Sequence, residues 1–482
     1  MKILFVPLCL AALLTACGGG GGGGGGGSGG SSSSSAASGS SGLPSAASLA
    51  NQCATPRAGT IDVAASAATE KAYLRSFVDE TYLWYTDVPS NLMPATYSSP
   101  QTYFDALKTM AVTASGTAVD QFHWSQTSAS WAAASAGIAQ DYGIQWAAQS
   151  SAPPRNWIVA GVAAASPAAL LGIVRGDQLS IIDGIDFIND NSTAGIAKLN
   201  EALAPSSVAA HVLTFKGKAA VSLTPAIYPL ATVNNVSVLQ TASGAVGYFI
   251  FDSHIAKSEA ELSAAISQLK AAGVTDLIID LRYNGGGLLY IASELAYMVA
   301  GPSSTHARIF EKLTYNDKQT AQNTSYPFYS STVAGLALPT LNLKHVSLLV
   351  TRGTASASES VINSLRGVDV KVDLIGAATR GKPYGFVPQD NCGWTYFAIQ
   401  FKGVNDKLLA DYADGFAPTC AVADDFTHQR GDTAEALLKT ALAYRQNAVC
   451  PIAPAATTAA VSAASYRLVR PPSSEMRILS GR

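Results

Sequence analysis

Between Thr69 and Tyr85 the apolar residues Leu74, Phe77, Val78, Tyr82 and Tyr85 recur at steps of three and four, which predicts an amphipathic helix. Tyr103, Phe104, Leu107 and Met110 repeat the period. Residues 66–135 therefore read as a small helical N-terminal domain, closing with Asp120-Gln121-Phe122-His123 and an Ala/Ser-rich connector. From Tyr142 to Tyr228 the pattern changes to short alternating runs with turn signals, which predicts a β-rich domain over 136–227. Over 228–448, runs of strand length alternate with helix-period segments. Strands are predicted at 247–251, 275–281, 345–351 and 370–375, and helices at 259–272, 288–299 and 357–365. Such alternation implies an α/β domain with a mostly parallel sheet, in which the loops at the carboxyl ends of the strands build the site.

The two ends of the chain carry no such period. Lys2, an apolar run from Ile3 to Leu14 and then Leu14-Thr15-Ala16-Cys17 form a secretory signal over 1–16, too short to span a bilayer as a mature helix. The last four of these residues resemble a bacterial lipobox, which implies a lipidated Cys17 as mature N-terminus. With Gly18 next, the resemblance implies an outer-membrane lipoprotein of the bacterial cell envelope that faces the periplasm. From Gly18 to Gly42 the chain is nearly all Gly and Ser, a flexible tether with a reach of roughly 25–30 Å; the tether is expected to run over 17–65. Residues 449–482 are rich in Ala, Pro and Ser and read as a mostly disordered tail.

Charged residues make up 13% of the chain against about 25% in ordinary globular proteins, and the net charge is −2, so no basic patch argues for nucleic acid. Cys53, Cys392, Cys420 and Cys450 remain once the signal and Cys17 are set aside. An oxidising compartment favours two disulfides among them, with three pairings open; Cys392 with Cys420 and Cys53 with Cys450 is the pairing expected. With no Cys-x-x-Cys pair, a zinc site is not expected, and neither is a cofactor.

Three loops of the α/β domain hold the candidate chemistry. After the second predicted strand comes Asp280-Leu281-Arg282-Tyr283-Asn284-Gly285-Gly286-Gly287. Gly353-Thr354-Ala355-Ser356-Ala357-Ser358-Glu359 follows the third, and Thr379-Arg380-Gly381-Lys382-Pro383 the fourth. Parallel strands bring all three to one edge of the sheet, so a hydroxyl, a lysine and a run of backbone donors converge. No Gly-Lys-Ser/Thr follows the glycines, which sets a phosphate loop aside.

Joint order and placement resemble the C-terminal processing peptidases, whose pattern is a strand with Asp-Leu-Arg-x-Asn-x-Gly-Gly, a strand with Ser-Ala-Ser-Glu, and Gly-Lys about twenty-five residues on. The resemblance spans residues 66 to 448 and implies a crotonase-like α/β core. It further implies that Ser356 is the nucleophile, that Lys382 is its general base, and that the N–H of Ala357 and one from Gly285 or Gly286 hold the oxyanion. An ordinary lysine is charged and useless as a base, so the site must favour its neutral form by desolvation. Asp280 and Arg282 are expected to hold the glycine loop. Many members carry glutamine four residues after the lysine; this chain has Phe386 there, which leaves Glu359, Tyr384 and Gln389 as candidates to orient Lys382. His123 and His254 are the histidines a Ser-His mechanism would use.

The stretch from Ala168 to Gly184, a short helix, a Gly turn, Arg175-Gly176-Asp177 and a strand closing on Asp183-Gly184, resembles the middle of a PDZ domain. That implies a groove in which Tyr142, Gly143, Ile144, Gln145 and Trp146 take a peptide's apolar C-terminus, the edge accepting it as an added strand and the backbone N–H groups its carboxylate. The expected partners are protein substrates with such tails and, through the lipid, a membrane. The competing reading is a catalytically inactive peptide-binding lipoprotein that uses the groove alone.

Overall fold

Ser66 starts the first long helix by accepting the Thr69 N–H, and α1 (Ala67–Thr81) buries Leu74, Phe77 and Val78, which its period selects, together with Tyr73, and ends before Tyr82 and Tyr85. The computed structural model of the chain describes residues 42–205, 207–451, 466–469 and 476–479, so Cys17 and the signal lie outside the described residues. Ser99 and Thr102 form a reciprocal cap for α2 (Pro100–Ala106), with proline in the first turn, where its missing N–H costs nothing. Folded structure begins earlier than the expected tether boundary at 65. A short helix, Ala46–Leu49, leads to the strand Gln52–Cys53, which pairs in parallel with Val63–Ala64. These residues carry side chains that the Gly/Ser run lacks, and the N–H of Ala54 is tied to Glu70 of α1 at 2.7 Å.

Strand β1 (Trp124–Thr127) ends the helical region, and the helix Ser128–Ser135 takes the place of the expected connector. The β-rich domain follows with β2 (Ile144–Ser150) antiparallel to β3 (Asn156–Val162), a four-stranded antiparallel sheet beyond them and the helix Thr193–Leu203. Ile138–Asp141 and Ala226–Pro229 pair antiparallel and close the domain at its two chain ends.

The α/β domain holds β4 (Val233–Thr241), β5 (Gly244–Phe251), α3 (Ser258–Ala271), β6 (Asp276–Asp280), β7 (Gly286–Leu288) and α4 (Leu289–Ala300). It continues with β8 (His345–Val350), α5 (Ala357–Gly367), β9 (Lys371–Gly376), β10 (Trp394–Phe397), β11 (Cys420–Ala421) and α6 (Ala436–Asn447). The main sheet has the order β4-β5-β6-β8-β9-β11, parallel except for β4. Side chains alternate across it: Phe249, Phe251, Leu277 and Ile279 pack under α3, α4 and α5, while Tyr248, Ile250 and Ile278 pack with Leu437 and Leu438 of α6. Asp280 pairs with Leu349 and Leu349 with Ile375, so three successive strands end together.

β1 pairs antiparallel with β10, and the helical region shares its core with Tyr384, Phe386, Tyr396 and Phe397. Two disulfides form, but as Cys53–Cys392 and Cys420–Cys450, not in the expected pairing. The Gln52–Cys53 strand lies beside the Asn391–Gly393 turn, where the N–H of Asn51 donates to Asn391 at 2.7 Å. α6 meanwhile returns Cys450 to the sheet edge held by β11, 5.5 Å from Cys420 between Cα atoms. The expected disordered tail also gives way in part: β12 (Arg467–Val469) joins β2 and β13 (Met476–Ile478) joins β7. Among the described residues no helix is long and apolar enough to cross a membrane.

Candidate active site

Ser356 sits where β8 has ended and α5 begins, with φ 61° and ψ −117°, a conformation L residues avoid. It is fully buried, and its Oγ makes no hydrogen bond among the described residues. Its loop is sewn to the loop after β6. Thr354 Oγ1 donates to the Leu281 carbonyl at 2.8 Å, and the Asn284 carbonyl accepts the Ala355 N–H and Ser358 Oγ, both at 3.1 Å. The main-chain N–H groups of the first turn of α5 have no intrahelical acceptor, and that of Ser358 donates to the Ala355 carbonyl at 3.1 Å.

Glu359, on the first turn of α5, is fully buried and clasps two loops at once. Its Oε2 accepts the N–H of Ser356 at 2.8 Å and that of Lys382 at 2.9 Å, which leaves the two amide nitrogens within about 6 Å of each other. Oε1 takes the Gly381 N–H at 2.7 Å and Thr379 Oγ1 at 2.6 Å. Burial pushes the Glu359 carboxyl up, and these four donors pull it back only in part. Gly381, at φ +90°, lies so close to the Ala413 carbonyl that a side chain would collide at 2.3 Å, so glycine lets the lysine loop reach the clasp.

Lys382 is fully buried, its Nζ 4.0 Å from the centre of the Phe386 ring and 4.5 Å from that of Phe122. Glu359 thus fixes the backbone of Lys382, while two aromatic faces flank its amine. Of the other residues expected to orient it, Tyr384 packs edge-on against Trp84, and Gln389 is exposed and bonds to the Asp390 carbonyl. Phe122 is the residue that sequence reasoning missed. Its only signal was membership of Asp120-Gln121-Phe122-His123, a turn in which Asp120 Oδ1 accepts the Phe122 N–H at 2.9 Å.

The glycine loop is held from both sides. Asn284 Oδ1 accepts the Gly286 N–H at 2.9 Å, so that donor is engaged and Gly285 is left as the glycine for an oxyanion. Gly287, at φ +139°, lies against His254, where any Cβ would meet the His254 carbonyl at 2.3 Å. Behind the loop the fully buried Arg282 binds Asp280 at 3.0 Å, Asp424 at 2.7 Å and Glu435 at 2.8 Å. Asp280 and Arg282 are thus both fully buried and bonded to each other.

His254 is fully buried with Nδ1 3.0 Å from Asn284, and desolvation lowers its pKa to about 3. His123 is stacked on Phe104 at 3.9 Å and lies 3.6 Å from Asp120. Among the described residues no group of three or more His, Cys, Asp or Glu side chains is placed to hold a metal ion.

Of the residues expected to bind peptide, Gly143, Ile144 and Gln145 line a cavity, whereas the side chains of Tyr142 and Trp146 belong to the core of the β-rich domain. Tyr142 and Trp146 are buried, Trp146 stacking on Phe215, and Ile144 to Trp146 open β2. The N–H of Gly143 is already donated to the Asp141 carboxylate at 2.6 Å, which corrects its expected role as a carboxylate donor. A cavity of about 810 Å³ runs from Gly143, Ile144 and Gln145 to Gly285 and Gly286. Arg175 locks the two ends together: it donates to Tyr283 Oη and to Asp424, both at 2.7 Å.

Residues 245–388 match the model of Peptidase family S41, and residues 70–125 that of the Peptidase S41 N-terminal domain. The chain is 27% identical over 223 residues to a carboxyl-terminal-processing protease of Synechocystis sp., covering 45% of this chain and 48% of that one. It is 30% identical over 231 residues to one of Picosynechococcus sp., with the same 45% and 48% coverage. The chain thus spans about half the length of the curated relatives it matches. The crystal structure of a candidate S41 protease from Bacteroides fragilis superposes with a TM-score of 0.61 at 23% identity, over 78% of this chain and 97% of that one, a likeness of fold.

Proposed function

We propose that this chain, which carries the peptidase family S41 domain and the family's N-terminal domain, is a serine endopeptidase that cuts protein substrates by a Ser356–Lys382 mechanism. One observation carries the reading: a buried, unpartnered serine hydroxyl at a helix N-terminus, clasped through Glu359 to the loop of a buried lysine. Ser356 Oγ attacks the scissile carbonyl carbon as its proton passes to Lys382 Nζ. The Ala357 and Gly285 N–H groups receive the oxyanion. Lys382 then protonates the leaving amine, and the acyl-enzyme is hydrolysed by a water that gives its proton to the same nitrogen. Between turnovers the amine must be neutral, and what supports that form in this reading is the full burial of Lys382 beside the Phe122 and Phe386 rings. These rings offset the desolvation of a charged lysine by only about 1–2 kcal/mol.

The PDZ-like edge β2 supplies specificity in this reading, adding a substrate's apolar tail as a strand. Cys17 is the lipidated N-terminus, and the enzyme works at the cell envelope, facing the periplasm; intact mass of the purified membrane form checks that anchor. The test of the chemistry is labelling by a serine-reactive acylating probe. Wild type is expected to label, Ser356→Ala not at all, and Lys382→Ala and Lys382→Arg to lose peptide hydrolysis while staying folded, because arginine does not deprotonate. Robust hydrolysis by the Lys382 variants would overturn the lysine's role, and absence of labelling in the wild type would leave a binding protein.

A further inference from the structure

Two short strands near the C-terminus occupy the two edges a peptide would need. β12 lies antiparallel on β2, with Arg467 opposite Ala148, Leu468 opposite Ala147 and Val469 opposite Trp146. The tail therefore runs toward the Tyr142–Gly143 turn, the direction in which an added peptide strand would enter, and Leu468 and Val469 line the cavity that leads to Gly285 and Gly286. β13 then lies parallel on β7, Gly286 opposite Met476, Gly287 opposite Arg477 and Leu288 opposite Ile478. On its other side Ile478 bridges to Phe386, and the Leu479 N–H donates to the Phe386 carbonyl at 3.0 Å.

The tail thus fills the gap between the glycine loop and the segment that carries Lys382, against α5, which begins at Ala357. Ile478 is 2% exposed and packs into the core shared by Tyr384 and Phe386. The tail does not end at the Tyr142–Gly143 turn, since thirteen residues follow Val469. With the Gly143 N–H already given to Asp141, strand pairing and apolar side chains, rather than capture of a terminal carboxylate, hold it there.

We propose that the two strands at 466–469 and 476–479 act as a pseudosubstrate bound in cis, which holds both the specificity edge and the cleft beside Ser356 against other peptides until displaced. The proposal rests on the peptidase reading above and names its ligand class: an extended segment with apolar residues, entering from within a tail. Covalent attachment makes modest affinity sufficient. A tethered segment has an effective concentration on the order of 1 mM, so one whose free peptide binds at about 100 μM occupies the site about ten to one.

The experiment compares the full chain with a chain ending at Pro451 and with full-length Ile478→Asp, which keeps the tail but makes its seat unfavourable. The rate of labelling of Ser356 by an acylating probe is expected to rise about tenfold in both variants. A fluorescent synthetic peptide of residues 466–482 is expected to bind the shortened Ser356→Ala chain, seen as a rise in anisotropy, and the same peptide with Ile478→Asp is not. In the shortened wild-type chain the peptide restores slow labelling. Equal labelling rates in all three chains overturn the pseudosubstrate and leave the peptidase intact. Absence of labelling in every chain overturns the peptidase, and peptide binding then decides by itself whether the tail is a ligand of the groove.

Discussion

Buried carboxylates stand in two settings, one the group around Arg282 and the other Glu359 by itself, and they are neutralised in opposite ways. Behind the loop Asp280, Asp424 and Glu435 share the guanidinium of Arg282, and although burial pushes the Asp424 carboxyl up, the Arg282 and Arg175 charges hold it below the usual range. At the start of α5, Glu359 is fully buried but faces three backbone N–H groups and one hydroxyl, and its carboxyl is raised. The first arrangement is scaffold: charge answers charge, and nothing there needs to change protonation. In the second, three backbone N–H groups and a hydroxyl hold the carboxylate that positions the nucleophile and base loops. Glu359 takes the backbone N–H of Lys382 while aromatic rings flank its amine.

The largest effect should come from breaking the scaffold side. Arg282→Met leaves Asp280 and Glu435 buried without the guanidinium that binds them, while Asp424 keeps Arg175, and removal of one partner from such a cluster typically costs about 3–5 kcal/mol. The variant is expected to unfold at markedly lower denaturant concentration, or not to accumulate folded, as read by circular dichroism.

Glu359→Gln sharpens the contrast, since it alters the acceptor of three backbone N–H groups. An amide offers one acceptor oxygen where two served, and its NH₂ faces donors, so one or two buried N–H groups go unmet at about 1–3 kcal/mol each. Activity should fall further than stability suggests, on the order of a hundredfold in kcat, because displacement of the nucleophile by about 1 Å is that costly. An unchanged kcat would show that the clasp is packing alone.

The two settings should also respond to pH with opposite signs. Asp424 is lowered, so its contribution to stability is complete above the ordinary aspartate value of 3.8 and is lost as pH falls through the folded value. Glu359 is raised, so its contribution is complete below the ordinary glutamate value of 4.5 and is lost as pH rises through the folded value. Melting temperature measured across pH should therefore flatten on the acid side in Asp424→Asn and on the alkaline side in Glu359→Gln.

The smallest effect is expected at the histidines. His254 is neutral above a pKa of about 3, so His254→Asn and His123→Asn should lose less than about tenfold in activity and leave the shape of the pH–rate profile unchanged. Collapse of the rate in His254→Asn with survival of the Lys382 variants would move the chemistry to a Ser-His mechanism.

What the sequence determined by itself was local period and order. Alternating strand and helix patterns placed β5, β6, β8 and β9 to within a few residues, and a parallel sheet then forced the loops holding Asn284, Ser356 and Lys382 to one edge. Period reports only which face of an element is apolar, and the contacts that finish the site join residues far apart in the chain. Glu359 was legible as part of Ser-Ala-Ser-Glu but not as the acceptor of Gly381 and Lys382, and Phe122 comes from another domain. Pairing of Cys53 with Cys392, 339 residues away, depends on where a two-residue strand docks. The tail's strands are three residues each, too short to show a pattern, and their partners are edges that exist only once β2 and β7 have formed. Edge pairing is supplied by backbone hydrogen bonds, which every residue but proline can make, so side-chain order alone could not choose it and the folded surface did.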